Sequence, residues 1–428
     1  MTTASSFDTI VIGAGPAGCA ASALLAERGL RVAVLEREKF PRYHIGESLL
    51  PFTSQPLKRL GLFETMRQSA FIKKHSVQFV SPSGKASQPF YFSTRYEPDI
   101  AQTWQVLRSE FDQILMDNAR AKGAQVFEET TVHELIQEEG LTLGIRARTK
   151  AGEPLEFRAP MTLDCSGREA FVPTRLNWRV REPKLNKVAV WTYYRGALRD
   201  PGIDAGATTV AYVPEKGWFW YIPQHRDMIS VGVVAEGKYL TRDGVREPKD
   251  IFNREIGQNQ WIKDHLACGV QTGSYHITSE YSFRSRYCAS DGLLLAGDSF
   301  GFLDPVFSSG VMLALKSGTM AADAIHAAHE AQDFSAERFT EYSRILREGL
   351  ENMRKLVYAF YDPNFSFRKL TNKYPDMAGP ITDCLSGDVN KDFSKLYAAV
   401  AETAEVPEPL PYGAPLLRNT IAVSPLVS

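Results

Sequence analysis

Two glycine turns and a pair of lysines hold the residue types that could do chemistry in this chain. The first turn, Gly13-Ala-Gly15-Pro-Ala17-Gly18, lies between an apolar run (Phe7 to Gly13) and an Ala/Leu-rich stretch ending at Arg28-Gly29. A second apolar run, Arg31 to Leu35, closes on Glu36. Strand, helix, strand and acid in this order make a dinucleotide fingerprint: one glycine for the tight turn, one for close approach of a pyrophosphate, one for helix packing, and an acid for a ribose hydroxyl. The second turn, Gly297-Asp298, follows the strand Leu293 to Ala296 and leads through a loop into a helix opening near Ser309. Backbone N–H groups at such a helix start favour an anion or a polar cofactor group. Gly-Asp is also an ordinary turn pair, so on its own it signals little. The lysines, Lys73-Lys74, start a strand after Phe71, where a solvated surface pair is the plain reading.

Two further patterns narrow the chemistry. The loop after Gly297-Asp298 carries Phe302, Pro305, Ser308 and Gly310 as F-x-x-P-x-x-S-x-G, and the strand Gly217 to Pro223 carries W-x-W-x-I-P at Trp218, Trp220, Ile222 and Pro223. An aromatic strand of this kind is otherwise ordinary core. Together the two patterns resemble the signatures of flavin-dependent halogenases, a resemblance that runs over roughly residues 7 to 345. It implies FAD held by Gly13, Gly15, Ala17, Gly18, Glu36, Arg108, Gly297 and Asp298, with Asp298 accepting from a ribityl hydroxyl. The stretch Phe40 to Pro51 is similar to the family's strap over the flavin, which adds Gly46, Glu47 and Ser48; Glu47-Ser48 also suits a simple N-cap. Arg108-Ser-Glu-Phe111-Asp112 is similar to R-x-x-F-D, whose Arg contacts the flavin diphosphate region, and an i to i+4 salt bridge is the alternative. Asp164, Gly167 and Arg168 resemble the family's D-x-x-G-R turn.

The resemblance also implies a chloride or bromide on the backbone at Ser309 and Gly310. Trp218 and Trp220 become a wall between flavin and substrate, and Lys74 the catalytic group that hands hypohalous acid to an electron-rich ring. Lys73 faces the other way on a strand, and Ser76 stands where the family often has Gly. Phe307 replaces the Glu of tryptophan-acting members and points to a phenol or pyrrole, free or carrier-protein-bound. A single dinucleotide fingerprint makes a separate flavin reductase the expected source of reduced FAD. Two other readings share part of this pattern: an aromatic hydroxylase or geranylgeranyl-reductase-like flavoenzyme, and a non-catalytic flavin-binding protein.

Composition sets outer bounds. With 428 residues, 44% hydrophobic and 23% charged, the chain has material for two globular domains. Its 49 basic and 50 acidic residues give no electrostatic case for nucleic acid. Five scattered cysteines and eight unclustered histidines argue for reduced thiols and against a metal site. MTTASSF leads straight into a strand, so neither a signal peptide nor a transmembrane run is expected, and the location expected is cytoplasmic.

The elements that must position these residues follow an α/β plan. We expect a Rossmann-type FAD-binding domain over 1–185 and 283–330, with a substrate-side flap near 75–100. An antiparallel substrate sheet is expected over 186–282, and a C-terminal helical region with an irregular tail over 331–428. Within the sheet, Trp218, Trp220 and Ile222 share one face while Phe219 and Tyr221 share the other.

Overall fold

A computed structural model describes residues 4–182, 184–215, 217–279 and 282–418. The last ten residues of the expected tail lie outside the described residues. In chain order, Thr9–Ile12 (β1) runs through the Gly13 turn into the helix Pro16–Glu27 (α1) and returns as Val32–Leu35 (β2). Pro16 stands at the helix start, where its missing N–H costs nothing. Ile72–Lys74 (β3), Ser76–Val80 (β4), Phe90–Tyr91 (β5) and Thr103–Gln105 (β6) follow, then the helix Arg108–Ala121 (α2) and Gln125–Phe127 (β7). After Met161–Asp164 (β8) come Lys187–Arg195 (β9), Thr208–Tyr212 (β10), Trp218–Gln224 (β11), Met228–Glu236 (β12) and Val270–Ser279 (β13). Leu293–Leu295 (β14) and the helices Gly310–Ala331 (α3), Thr340–Tyr361 (α4) and Ala378–Ser386 (α5) complete the frame.

The nucleotide region is three layers deep. Strands β14, β8, β1, β2 and β7 pair in parallel, with Ala289–Ser290 antiparallel at the β14 edge. Every residue of β1 and β2 is buried, as expected of a parallel sheet covered on both faces. One face meets a four-stranded sheet of Ala4–Ser6, Thr130–Glu138, Leu141–Thr149 and Pro154–Arg158 through Phe7, Ile10, Ala33 and Phe157. The other carries α1, α2 and α3. Helices α1 and α3 cross so closely that a Cβ on Gly318 would lie 2.3 Å from the Ala17 carbonyl oxygen.

The second sheet is larger than 186–282 and not wholly antiparallel, which corrects the expectation. Its order is β13, β9, β12, β11, β10, β4 and β5, and β4 pairs with β10 in parallel. The flap supplies β4 and β5. An uncovered β10 would be an edge strand with unpaired N–H and C=O groups, and β4 closes it. No hairpin links the two, so nothing forces them antiparallel. The faces of β11 divide as expected: Trp218, Trp220 and Ile222 join the main core, Phe219 and Tyr221 a separate cluster with Phe252 and Tyr194.

The C-terminal helices belong to the same body. The hydroxyl of Tyr342, near the start of α4, donates to the Leu295 carbonyl at the end of β14 (2.7 Å). Asp383 on α5 accepts from Arg95 (2.8 and 3.0 Å) and Tyr96 (2.6 Å), pinning the flap.

Trp220 depends on Gly232 in the neighbouring strand. A Cβ there would meet Trp220 Cζ2 and Cη2 at 2.4 Å and Trp191 Cβ at 2.5 Å. Gly232→Val should therefore lower stability by about 1–3 kcal/mol through overpacking, read from the denaturant midpoint, while Gly237→Val, where a Cβ meets nothing closer than Val188 Cγ2 at 3.5 Å, serves as the comparison.

Candidate active site

One long crevice collects most of the residues singled out in the sequence. Gly13 takes a φ of 97°, and a Cβ there would lie 2.6 Å from the Cys165 carbonyl oxygen. A Cβ on Gly18 would strike the Gly13 carbonyl oxygen at 2.0 Å, so the helix seats directly on the turn. Above Gly15 the space is open, and the first atom met is a guanidinium nitrogen of Arg42 at 3.9 Å. Glu36 is aimed by the turn itself, accepting from the Ala14 N–H (3.0 Å) and the Glu38 N–H (2.9 Å). The same crevice is lined by Gly46, Glu47, Ser48, Gly297, Asp298, Gly310, Trp218, Trp220 and Ile222. Burial pushes the Asp298 carboxyl up to about 6 against the opposing fields of Arg168 and Arg108. A crevice that joins an open glycine turn, a fixed acid and a wall of indoles fits FAD.

Arg108 lines the crevice, and four of its five N–H donors are engaged within the protein. Nε and Nη2 reach Asp112 at 2.8 and 2.9 Å, and Nη1 reaches the carbonyls of Ile45 (2.8 Å) and Gly46 (3.2 Å). The i to i+4 pair is therefore real, although buried rather than on the surface. Arg42 shares Asp112 at 3.1 Å and is the guanidinium beside the open turn. Arg42 belongs to no motif; its only signal in the sequence is a basic residue inside the strap.

Between residues 46 and 50 the strap behaves as a third strand beside β6. The Leu49 N–H donates to the Trp104 carbonyl (3.0 Å), the Val106 N–H to the Glu47 carbonyl (2.7 Å), and Ser48 bridges to Gln105. This pairing puts Ser48 in contact with two regions at once. Its Oγ lies 2.7 Å from Thr208 Oγ1 and accepts from Lys74 Nζ at 2.9 Å. Lys74 has no exposed surface; Nζ also donates to the Leu49 carbonyl (3.1 Å) and stands 5.7 Å from the Phe92 ring centre. Burial alone lowers its pKa to about 7. Lys73 is exposed. Lys74 itself is not part of the crevice lining.

The indoles are keyed to the loop opposite. Trp218 and Trp220 lie 6.2 Å apart, centre to centre, with Trp191 6.1 Å beyond Trp220. Trp218 Nε1 donates to the Tyr361 hydroxyl (2.9 Å), which donates to Asp304 (3.0 Å). Asp304 also accepts from the Val306 N–H (3.0 Å), and burial pushes its carboxyl up to about 7. Ser308 then takes the left-handed conformation (φ 55°), Ser309 caps α3, and Gly310 begins it. The first-turn N–H groups of this 22-residue helix have no partners within it and carry its positive end. Asp304 and Tyr361 were not singled out from the sequence; Asp before Pro305 was a capping signal, whereas Tyr361 gave none. Among the described residues no cluster of three His, Cys, Asp or Glu is placed to hold a metal, and no helix is long and apolar enough to cross a membrane.

Comparison with known proteins places this geometry. A family described as FAD binding domain matches residues 6–344. The chain is 30% identical over 407 residues to the 1H-pyrrole-2-carbonyl-(peptidyl-carrier protein) chlorinase of Pseudomonas fluorescens, covering 90% of this chain and 89% of that protein. It is 32% identical over 366 residues to the tryptophan 2-halogenase of Chondromyces crocatus, covering 84% and 69%. Among solved structures, flavin-dependent brominase Bmp2 superposes with a TM-score of 0.84 at 27% identity, over 93% of this chain and 98% of that one. A flavoprotein/dehydrogenase from Cytophaga hutchinsonii reaches 0.82 at 26%, over 92% and 99%, so the fold by itself does not separate the two activities. Sequence similarity does: the chain belongs to the flavin-dependent halogenases, oxidoreductases that use FAD and a halide.

Proposed function

We propose that this chain halogenates a phenol or pyrrole ring, free or tethered to a carrier protein, using hypohalous acid made in the flavin crevice and handed on through Lys74. The observation that carries this reading is Lys74 itself: a fully buried amine, hydrogen-bonded to the strap yet outside the crevice lining. When bound, FAD reduced by a separate flavin reductase supplies, with O2, the two-electron oxidation of halide. The chain's residues direct the rest. Ser309 and Gly310 offer N–H donors and the positive end of α3 to chloride or bromide. Trp218 and Trp220 keep the ring to be halogenated away from the oxidant's source and exclude bulk water. Ser48 orients Nζ of Lys74. Near neutrality much of that amine is unprotonated, so it can accept halogen from hypohalous acid, forming N–halogen and releasing water, or hold the acid by hydrogen bonding.

The pyrrolyl-carrier chlorinase, similar over nine tenths of the chain, supports a carrier-bound pyrrole, and Phe307 before Ser308 agrees. Tryptophan is the competing substrate, favoured by similarity to the tryptophan 2-halogenase. A flavin-dependent hydroxylase or reductase is the competing activity, favoured by the Cytophaga dehydrogenase's fold.

Product analysis by mass spectrometry tests all three, using a flavin reductase, chloride or bromide, and a panel of phenols, pyrrolyl-carrier protein and tryptophan. Halide-dependent aryl halide from a phenol or pyrrole is expected; hydroxylation independent of halide overturns the reading. In the same assay Lys74→Ala should cut halogenated product at least about 10²-fold with reoxidation of reduced FAD by O2 near wild type. Lys73→Ala should stay close to wild type, and the opposite pattern would move the role to Lys73.

Gly310→Val should raise the KM for halide more than it lowers kcat, because its side chain covers the first-turn N–H groups and presses on the Phe302 ring, 3.3 Å from the Cβ position. An unchanged halide KM would remove the anion from this loop.

Burial of Lys74 also has a signature in stability. Its pKa is about 7 folded and near 10.5 when exposed, so between these values the unfolded chain holds more protons and stability rises with pH. Relative to Lys74→Met, the wild type should gain at most about 1.4 kcal/mol per pH unit across that window and nothing below it. A pH-independent difference between the two would show that the amine is not held in its low-dielectric site.

A further inference from the structure

Turning a halide ion into a neutral carbon–halogen bond consumes a proton. In the reaction proposed above, reduced FAD, O2, halide, an aromatic C–H and one proton become oxidised FAD, aryl halide and two waters. Charge balances only if that proton comes from solvent. A crevice built to exclude water needs a defined route for it.

Glu47 stands where such a route would end. It lines the crevice with only 2% of its surface exposed. One carboxyl oxygen, Oε1, accepts from the Tyr193 hydroxyl at 2.9 Å; the other, Oε2, is buried, and the side chains of Ser230 and Gln224 lie close enough to the carboxyl to favour its charged form. The Tyr193 hydroxyl lies 3.0 Å from that of Tyr43. Tyr43 accepts from Trp191 Nε1 at 2.7 Å, stacks on His276 at 4.9 Å, and is 48% exposed. Three proton-bearing groups thus run unbroken from solvent to the crevice.

We infer that Tyr43, Tyr193 and Glu47 form a proton route from solvent into the flavin crevice, with Glu47 as the delivering acid; the need for it rests on the proposed function. The proton balance closes. Each phenol has one proton, so when Tyr193 donates to Glu47, Tyr43 donates to Tyr193, while Trp191 occupies the Tyr43 oxygen as a donor. The carboxylic proton then sits on Oε2. As Oε2 releases it to an acceptor in the crevice, Oε1 takes the Tyr193 proton, Tyr193 takes that of Tyr43, and water reprotonates Tyr43. One proton enters, one leaves, and no charge stays behind; the new acid proton sits on Oε1, and turning the carboxyl and the two phenol hydroxyls restores the starting arrangement. Burial raises the Glu47 pKa, which keeps the acid form accessible. Ser230, Gln224 and Tyr193 from the sheet, and Arg108 from α2, oppose that rise. A carboxyl that merely fills space would gain nothing from a second tyrosine it does not touch.

That last point gives the test. In the chain loaded with oxidised FAD, the carboxylic C=O infrared band that disappears in Glu47→Gln reports the protonated acid, and its shift after mixing into D2O times proton exchange. Tyr193→Phe and Tyr43→Phe should each slow this exchange at least about tenfold, with FAD affinity unchanged in Tyr43→Phe. Both should also slow halogenated product and enlarge its solvent deuterium isotope effect. Absence of any band lost in Glu47→Gln, or exchange unaltered by Tyr43→Phe, overturns the route. The exchange needs no halide or substrate. Slowed exchange without aryl halide from any substrate would therefore keep the route and reject the proposed function; aryl halide with unaltered exchange would do the reverse.

Discussion

The pairing of the strap with β6 is the constraint on which the site depends. Two main-chain hydrogen bonds, from Leu49 to Trp104 and from Val106 to Glu47, fix the register. With that register set, Glu47 meets Tyr193, and Ser48 meets Thr208 and Lys74. A slip of one residue would turn every side chain of the strap to its other side. Neither contact would survive it.

What holds the register from below is charge, at some expense. Arg108 and Arg42 converge on Asp112, all three buried, and Arg108 turns Nη1 to the strap carbonyls of Ile45 and Gly46. Buried ion pairs lose hydration that their attraction only partly returns, so such a cluster adds little to net stability. Removing one member is another matter, since it strands the others without water. Specificity of position is what this cluster contributes: it ties α2, which carries Arg108, to the strap that joins the crevice and the lysine.

How far the sequence could be read tracks how local each signal is. The fingerprint at Gly13 to Gly18, Glu36, the Gly297-Asp298 turn and the start of α3 are set by residues a few positions apart, and they were legible. The faces of β11 followed from alternation alone. The β4 to β10 pairing joins Val77 to Thr208, and no local pattern carries that parallel register. Arg42 reaches Asp112 across 70 positions, and Tyr361 reaches Asp304 across 57, with no periodicity to announce either. Arg108 shows the reverse case: the local i to i+4 spacing announced its pair with Asp112, while its burial and its bonds to the strap came from distant neighbours.

Helix α4 touches the site at both ends. Tyr342 holds the carbonyl of Leu295, two residues before Gly297, and Tyr361 holds both Trp218 and Asp304. Between these tyrosines lies about 28 Å of helix at 1.5 Å per residue. The helix is therefore a measuring rod between the cofactor turn and the indole wall, graduated in steps of about 1.5 Å and 100°. Point substitutions along its outer face leave the graduation intact. Inserting or deleting one residue would swing Tyr361 through more than a quarter of a turn and part it from both partners. Along this segment length, more than composition, is the constrained quantity.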